Sequence, residues 1–251
     1  MDLSTSSVII TGGASGLGEA SARHFASMGA QVTILDRDAA RGPQVAEEIG
    51  GYFIETDVAD DASAQRAIAY ACEKMGRITA ALNCAGIAYA IKTVGRDGAH
   101  PLDAYRRTLD VNLVGTFNIA RLAAQAMAQN APDADGARGV IINTASIAAY
   151  DGQKGQAAYS ASKGGVVGMC LPMARDLAQS GIRVMTIAPG LFLTPMLAGL
   201  PDDARAQLAA DVPCPARLGD PAEYARLAAF IVTAGYLNGE TIRIDGALRM
   251  R

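Results

Sequence analysis

The chain has 251 residues, half of them hydrophobic, with 27 glycines and no tryptophan, a length and composition that fit one domain with a large core and many tight turns. Its 22 Lys and Arg against 25 Asp and Glu give a net charge of −3, which leaves no basic footprint for nucleic acid and none for an anionic membrane surface. No apolar run is long enough to span a membrane.

The first strand is expected at 8–10, too near Met1 to leave room for a cleavable signal peptide. It runs into Thr11-Gly12-Gly13-Ala14-Ser15-Gly16-Leu17-Gly18. That spacing misses the G-x-G-x-x-G dinucleotide fingerprint but shares its physics. Gly12, Gly16 and Gly18 let the backbone approach a pyrophosphate, and a helix over 17–28 aims its amide groups and positive dipole end at it. A strand at 32–35 then ends at Asp36. A carboxylate there accepts hydrogen bonds from both ribose hydroxyls of an adenosine and repels a 2′-phosphate, which points to NAD rather than NADP. Arg37 beside it is the residue that could instead receive a phosphate, and Asp36 taken alone also reads as an ordinary strand-end turn residue.

A helix over 39–49 and a strand at 52–55 lead to Asp57-Val58, placed to bond an adenine amino group and to pack against its ring. A helix over 61–75 and a strand at 80–83 lead to Cys84-Ala85-Gly86, small residues beside which a ribose can lie. Residues 89–101 read as a polar, glycine-containing loop, and a long helix over 102–129 carries Asn112. Ser146 follows a strand at 140–144. A helix over 157–180 carries Tyr159 and Lys163, with Pro172 inside it; the proline removes one helical hydrogen bond and is expected to kink the helix. A strand at 184–188 opens onto 189–219, a segment with five prolines. A helix over 221–234 and a strand at 241–244 complete the pattern.

Strands and helices thus alternate from end to end, with no repeat or low-complexity linker between them. The pattern predicts an α/β fold, a single Rossmann-like domain over 1–251 whose doubly wound parallel sheet of about seven strands has helices on both faces. The irregular segments 89–101 and 189–219 both follow the carboxyl ends of strands, where ligands bind in such sheets. Cys72, Cys84, Cys170 and Cys214 are scattered, and with only His24 and His100 beside them they read as reduced thiols in a reducing compartment rather than as a metal site.

Tyr159 and Lys163, four residues apart on a helix, share a face. An ammonium near a phenol favours the phenolate and lowers its pKa, which suits a general acid/base near neutral pH. Tyr-x-x-x-Lys by itself more often marks a packed Tyr beside a solvated Lys. Ser146, at the end of an adjacent strand, could hold the carbonyl or hydroxyl oxygen of a substrate. Gln156 lies about one turn before Tyr159 and could reach a substrate carbonyl; Gln153 is a weaker candidate, and both also read as solvated polar residues.

Together, Thr11-Gly12-Gly13-x-x-Gly16-x-Gly18, Asp57, Asn83-x-Ala85-Gly86, Asn112, Ser146, Tyr159-x-x-x-Lys163 and Pro189-Gly190 resemble the short-chain dehydrogenase/reductase family, in its order and over nearly the whole chain. Residues 139–146, 155–165, 183–192 and 217–224, Cys84 where many members have Asn, and the inserted 89–101 loop resemble its type II 3-hydroxyacyl-CoA dehydrogenase branch, also known as the type 10 17β-hydroxysteroid dehydrogenases. The resemblance implies NAD-dependent oxidation of a secondary alcohol, typically the 3-hydroxyl of a short or branched acyl-CoA, in a homotetramer; the charge balance argues against a nucleic-acid or membrane partner. The expected compartment is the cytoplasm, or the mitochondrial matrix in a eukaryote.

The same resemblance places Ser15, Leu17, Asp36, Asp57, Val58, Cys84, Tyr159, Lys163, Phe192 and Thr194 along the cofactor, with Ala85, Gly86 and Pro189 in the loops beside it. It implies that Lys163 bonds the nicotinamide ribose, that Thr194 bonds the carboxamide, and that Asn112 orients a water linking Lys163 to solvent. Residues 191–197 would form an apolar flap that excludes water during transfer; the bland reading is a packing segment between helices. Two rivals remain: a 3-oxoacyl-carrier-protein or other ketone reductase of the same superfamily, which Asp36 disfavours through its usual NADPH, and a non-catalytic scaffold subunit.

Overall fold

Strands with apolar side chains on both faces need helices on both sides. The computed structural model describes residues 1–96, 98–199 and 201–250, without the side chains of Met196 and Ala204. Asp97 of the 89–101 loop, Leu200 of the 189–219 segment and the Met196 side chain of the flap therefore lie outside the described residues. The first half of the chain forms β1 (Ser7–Thr11), α1 (Gly16–Ser27), β2 (Gln31–Asp36), α2 (Arg41–Glu48), β3 (Tyr52–Glu55), α3 (Asp61–Met75) and β4 (Ala80–Asn83). A small hairpin follows, β5 (Val94–Gly95) and β6 (Gly98–Ala99), then α4 (Leu102–Leu109) and α5 (Gly115–Met127). The remainder forms β7 (Gly139–Thr144), α6 (Ala157–Leu177), β8 (Ile182–Pro189), α7 (Pro195–Ala198), α8 (Asp202–Ala210), α9 (Pro221–Thr233) and β9 (Thr241–Ile244).

The seven longer strands make one sheet in the order β3-β2-β1-β4-β7-β8-β9, every pair parallel. Alternate side chains of every strand but the edge strand β9 enter two separate cores. Val8 and Ile10 of β1 pack with Ala22 and Phe25 of α1, Val45 of α2 and Tyr224 and Ile231 of α9. Ile9 joins Ala67 and Ala71 of α3, Ile119 and Ala123 of α5, and Cys170 and Met173 of α6. After β3 the chain crosses back to place β4 on the other side of β1, so the order reverses between β1 and β4. The helices on either side of that reversal leave a crevice at the carboxyl ends of the two strands, where such sheets take ligands.

Three departures from the sequence reading have local causes. The expected helix over 102–129 contains a π-helical stretch, Asp110–Val114, between α4 and α5; such one-turn bulges often mark functional positions, and this one holds Asn112. The 89–101 loop is partly ordered by the β5–β6 hairpin. α6 stops at Leu177 and its last expected residues form a 3₁₀ turn closed by Gly181 at φ +67°. Pro172 sits within α6 and is exposed, so its ring faces water.

Candidate active site

The glycine turn between β1 and α1 is built by backbone proximity. Gly12 has φ +66°, and a Cβ on it would lie 2.8 Å from the Ala85 nitrogen; a Cβ on Gly18 would lie 2.1 Å from the Gly12 carbonyl oxygen. No side chain fits at either place, so α1 comes close to β1 and the turn forms a backbone cradle. Ser15 is the N-cap of α1 and its hydroxyl makes no cap bond. The opening amides of α1 can thus meet an anionic group. A dinucleotide pyrophosphate fits this cradle.

Asp36 ties the cradle to the end of β2. One carboxylate oxygen accepts the Ala14 N–H at 2.9 Å and the other accepts the Asp38 N–H at 3.0 Å. Each oxygen keeps a free lone pair for a ribose hydroxyl. Beyond it, Asp57 uses one oxygen to accept the Ala59 N–H, while the other faces Arg37 and Arg107, each 3.8 Å away. Asp36, Arg37, Asp57, buried Val58 and Arg107 line one cavity of about 380 Å³ with the glycine turn.

A second cavity, of about 290 Å³, holds Ser146, Gln153, Gln156, Tyr159, Lys163 and Phe192. Leu17, Cys84, Gly86, Ile87 and Thr194 line both, so the two form one cleft with an adenosine-sized and a reactive end. Thr11 Oγ1 at the end of β1 accepts the N–H groups of Cys84 and Ala85, each at 3.1 Å, and so fixes the loop after β4 against the turn. Pro189 ends β8, and the Gly190 N–H bonds the Ile244 carbonyl at 2.9 Å.

At the reactive end, Ser146 is the N-cap of a short 3₁₀ turn and its Oγ accepts the Ala148 N–H at 3.1 Å. Lys163 is buried and its Nζ donates to the Thr144 carbonyl at 2.7 Å, leaving two further N–H groups. It stands 5.8 Å from the centre of the Tyr159 ring. Burial lowers the Lys163 pKa to about 8, against a smaller upward pull from Cys84. Burial also pushes the Tyr159 phenol up, and the Ser146 hydroxyl works against that. The sequence reading expected a phenol lowered by Lys163; in the protein alone, desolvation of the phenolate wins.

Asn112 is engaged at both ends of its side-chain amide. Its Oδ1 accepts the Ile87 N–H at 2.8 Å, and its Nδ2 donates to the Ile87 carbonyl at 2.8 Å and to Ser162 Oγ at 3.1 Å. Ser162 in turn donates to the Tyr159 carbonyl at 2.7 Å. Asn112 therefore braces the loop after β4 against the first turns of α6, and has no side-chain donor left for a water. Gln156 sits at the N-cap of α6, and its Oε1 accepts the Gln153 N–H at 2.9 Å. Phe192 is buried edge-on to Tyr224, with ring centres 6.4 Å apart. Thr194 is the N-cap of α7 and packs over Gly16, which brings the flap onto the cofactor cradle.

Four site residues were not singled out from the sequence. Thr144 matters through its carbonyl, which no side-chain pattern reveals. Tyr224, fully buried, bonds Thr144 Oγ1 at 2.7 Å and lies 3.6 Å from Cys84 Sγ; burial pushes both its phenol and the Cys84 thiol up. Arg107 reaches the cleft from α4, and Met250 lines its reactive end. Their partners lie far away in the chain, so only the fold brings them together. Among the described residues, no group of three or more His, Cys, Asp or Glu could hold a metal ion.

Residues 6–205 match the family model described as short chain dehydrogenase. The chain is 55% identical to 3-hydroxyacyl-CoA dehydrogenase type-2 of Rattus norvegicus over 247 residues, 97% of this chain and 95% of the relative. It is 34% identical to the 3-oxoacyl-acyl-carrier-protein reductase FabG of Thermotoga maritima, over 96% of each. The crystal structure of 3-hydroxyacyl-CoA dehydrogenase type-2 from Mycobacterium avium superposes with a TM-score of 0.93 at 44% identity, covering 98% of this chain and 96% of that one.

Proposed function

The chain belongs to the short-chain dehydrogenase family and is an oxidoreductase of CH–OH groups that works with a nicotinamide cofactor; from that premise we propose that NAD is the cofactor and short or branched 3-hydroxyacyl-CoA esters are the substrates. The observation that carries this reading is one continuous cleft with the glycine cradle and Asp36 at one end and Ser146, Tyr159 and Lys163 at the other.

A bound nicotinamide would supply the hydride acceptor and a positive charge. The chain supplies the rest. Gly12, Ser15, Gly16, Leu17 and Gly18 would hold the pyrophosphate, Asp36 the adenosine ribose, and Asp57 and Val58 the adenine. Tyr159 takes the proton of the substrate hydroxyl on its phenolate oxygen. Lys163 offers its two free N–H groups to the other ribose, and its charge, added to that of the bound cofactor, opposes the desolvation that holds the phenol neutral. Ser146 Oγ donates to the substrate oxygen as charge develops there. Phe192 and Thr194 cover the reactive end. Asn112 acts as a brace, and its two N–H groups are already engaged, so a water linking Lys163 to solvent would bond its Oδ1 or the backbone.

A panel of secondary alcohols with NAD⁺, including 3-hydroxybutyryl-CoA, 2-methyl-3-hydroxybutyryl-CoA and 17β-hydroxysteroids, tests the reading. Turnover confined to the hydroxyacyl-CoA esters supports it, and no NAD⁺ reduction with any of them sinks it. A carrier-protein or ketone reductase is the second reading; a clear preference for NADPH over NADH in initial rates would favour that reductase. Exposed Val114 and Phe117 on one side, and Phe230 on another, suit burial between copies and support a homotetramer. Sedimentation showing only single chains would refute that assembly.

A further inference from the structure

The turn after β9 is bound more firmly than an exposed chain end requires. Arg243 donates to Asp151 at 2.6 Å and to Asp245 at 2.7 Å, and it stands over the Tyr150 ring, 5.1 Å from its centre. Arg249 donates to Asp245 at 3.1 Å and to the Leu248 carbonyl at 2.7 Å; Arg243 reaches the same carbonyl at 3.2 Å. The Arg243, Asp151 and Asp245 side chains are 22%, 21% and 8% exposed, so these pairs are partly shielded from the solvent that makes surface pairs weak, whereas the Arg249 side chain, 57% exposed, pairs at the surface.

Ala247 has φ 66°, the one positive φ among the described non-glycine residues, and its N–H is held by Asp245 Oδ1 at 3.0 Å. Such strain persists only where the surroundings over-determine the backbone. Leu248, 4% exposed, packs with Ile147 and Val212, and Leu191 and Met250 lie against that cluster. Ile147 directly follows Ser146, Leu191 opens the flap, and Val212 follows α8. The Gly246 carbonyl accepts the Cys214 N–H at 3.2 Å, which fastens the far end of the 189–219 segment to the same turn. Met250 then lines the cavity with Ser146, Tyr159, Leu191 and Leu197.

We infer that this carboxy-terminal turn is a fixed wall of the substrate cavity and that Met250 limits the length of the carbon chain admitted beside Tyr159. The inference rests on the function proposed above and names the feature that selects among its substrates. The side chain is well suited to that work: an unbranched thioether fills an irregular apolar space. Because Arg243, paired with Asp151 and Asp245 and bonded to the Leu248 carbonyl, holds the backbone behind it, a longer substrate chain cannot displace the wall without breaking those partly shielded pairs.

The test is the ratio of kcat/KM for straight-chain 3-hydroxyoctanoyl-CoA over 3-hydroxybutyryl-CoA. Each methylene in a fitted apolar pocket is worth roughly tenfold or more in discrimination. Met250→Ala should therefore raise the ratio by about tenfold or more, Met250→Phe should lower it, and Met250→Leu should keep it near the wild-type value. The Kd values of the matching 3-oxoacyl-CoA esters should follow the same order. A ratio within about twofold of wild type in both the Ala and Phe variants, or shifted the same way in both, would overturn the inference. If the wild-type enzyme turns over no hydroxyacyl-CoA, the function reading has failed instead. The same ratio taken over a series of 2-alkanols then decides the wall on its own.

Discussion

Replacing Lys163 with methionine separates what the lysine costs the fold from what it gives the reaction. In the folded protein its pKa is lowered to about 8 by burial; in the unfolded chain it is about 10.4. Below pH 8 both states carry the proton, and the full cost of a buried ammonium is present. Between pH 8 and about 10.4 the unfolded chain holds a proton that the folded one has released, so stability rises with pH. A gap of about 2.4 pKa units corresponds to roughly 3 kcal/mol. Lys163 is 4% exposed, so solvent screening takes little from that figure. Lys163→Met also leaves the Thr144 carbonyl without its 2.7 Å partner, a loss of about 1–3 kcal/mol at every pH. Urea unfolding of both proteins, at one protein concentration and at several pH values from 7.5 to 10.5, isolates the titrating part. The stability of wild type relative to the variant should climb by roughly 3 kcal/mol across that range. Parallel curves would refute the burial argument, because a Lys163 with its ordinary pKa in the folded state has no such window.

Two further substitutions probe the cofactor end. Gly18→Ala puts a Cβ 2.1 Å from the Gly12 carbonyl, so α1 must move off β1; NADH binding followed by fluorescence should weaken by at least about tenfold, the effect of roughly 1.4 kcal/mol, and unchanged affinity would show that the cradle is not the pyrophosphate site. Asp36→Ser removes the charge expected to exclude a 2′-phosphate and leaves the nearby guanidinium groups of Arg37 and Arg107. The ratio of kcat/KM for NADH over NADPH should fall by about 10–100-fold, since hydrogen bonds to a charged group are worth roughly 1.5–3 kcal/mol; an unchanged ratio would remove Asp36 as the selector.

The sheet was legible in the chain because its strands are short apolar runs between turn residues, and the strand expected at each of the seven places forms. The glycine turn and the Tyr159/Lys163 pair were legible because each is a local pattern with a local purpose. The π-bulge at Asp110–Val114 was not, since its residues carry the same apolar periodicity as a straight helix and only the fold shows Asn112 turned onto Ile87 and Ser162. The electrostatic balance at Tyr159 was misjudged for a related reason: spacing puts Lys163 nearby, but how much water the phenol loses is set by the folded surroundings, including Ser146 from the end of β7. Tyr224, Arg107 and the turn at 245–250 enter the site only after elements distant in sequence have docked.

In this mechanism Tyr159 carries the proton of the reacting hydroxyl. Tyr159→Phe keeps the ring and removes only the phenolic oxygen, and general acid/base catalysis is typically worth about 10²–10⁴-fold. Steady-state turnover of 3-hydroxybutyryl-CoA with NAD⁺, taken together with the Kd of NADH, measures it directly. Turnover should fall by at least about 100-fold with NADH affinity within about threefold of wild type, or roughly 0.7 kcal/mol. Wild-type turnover in the Tyr159→Phe enzyme would contradict it.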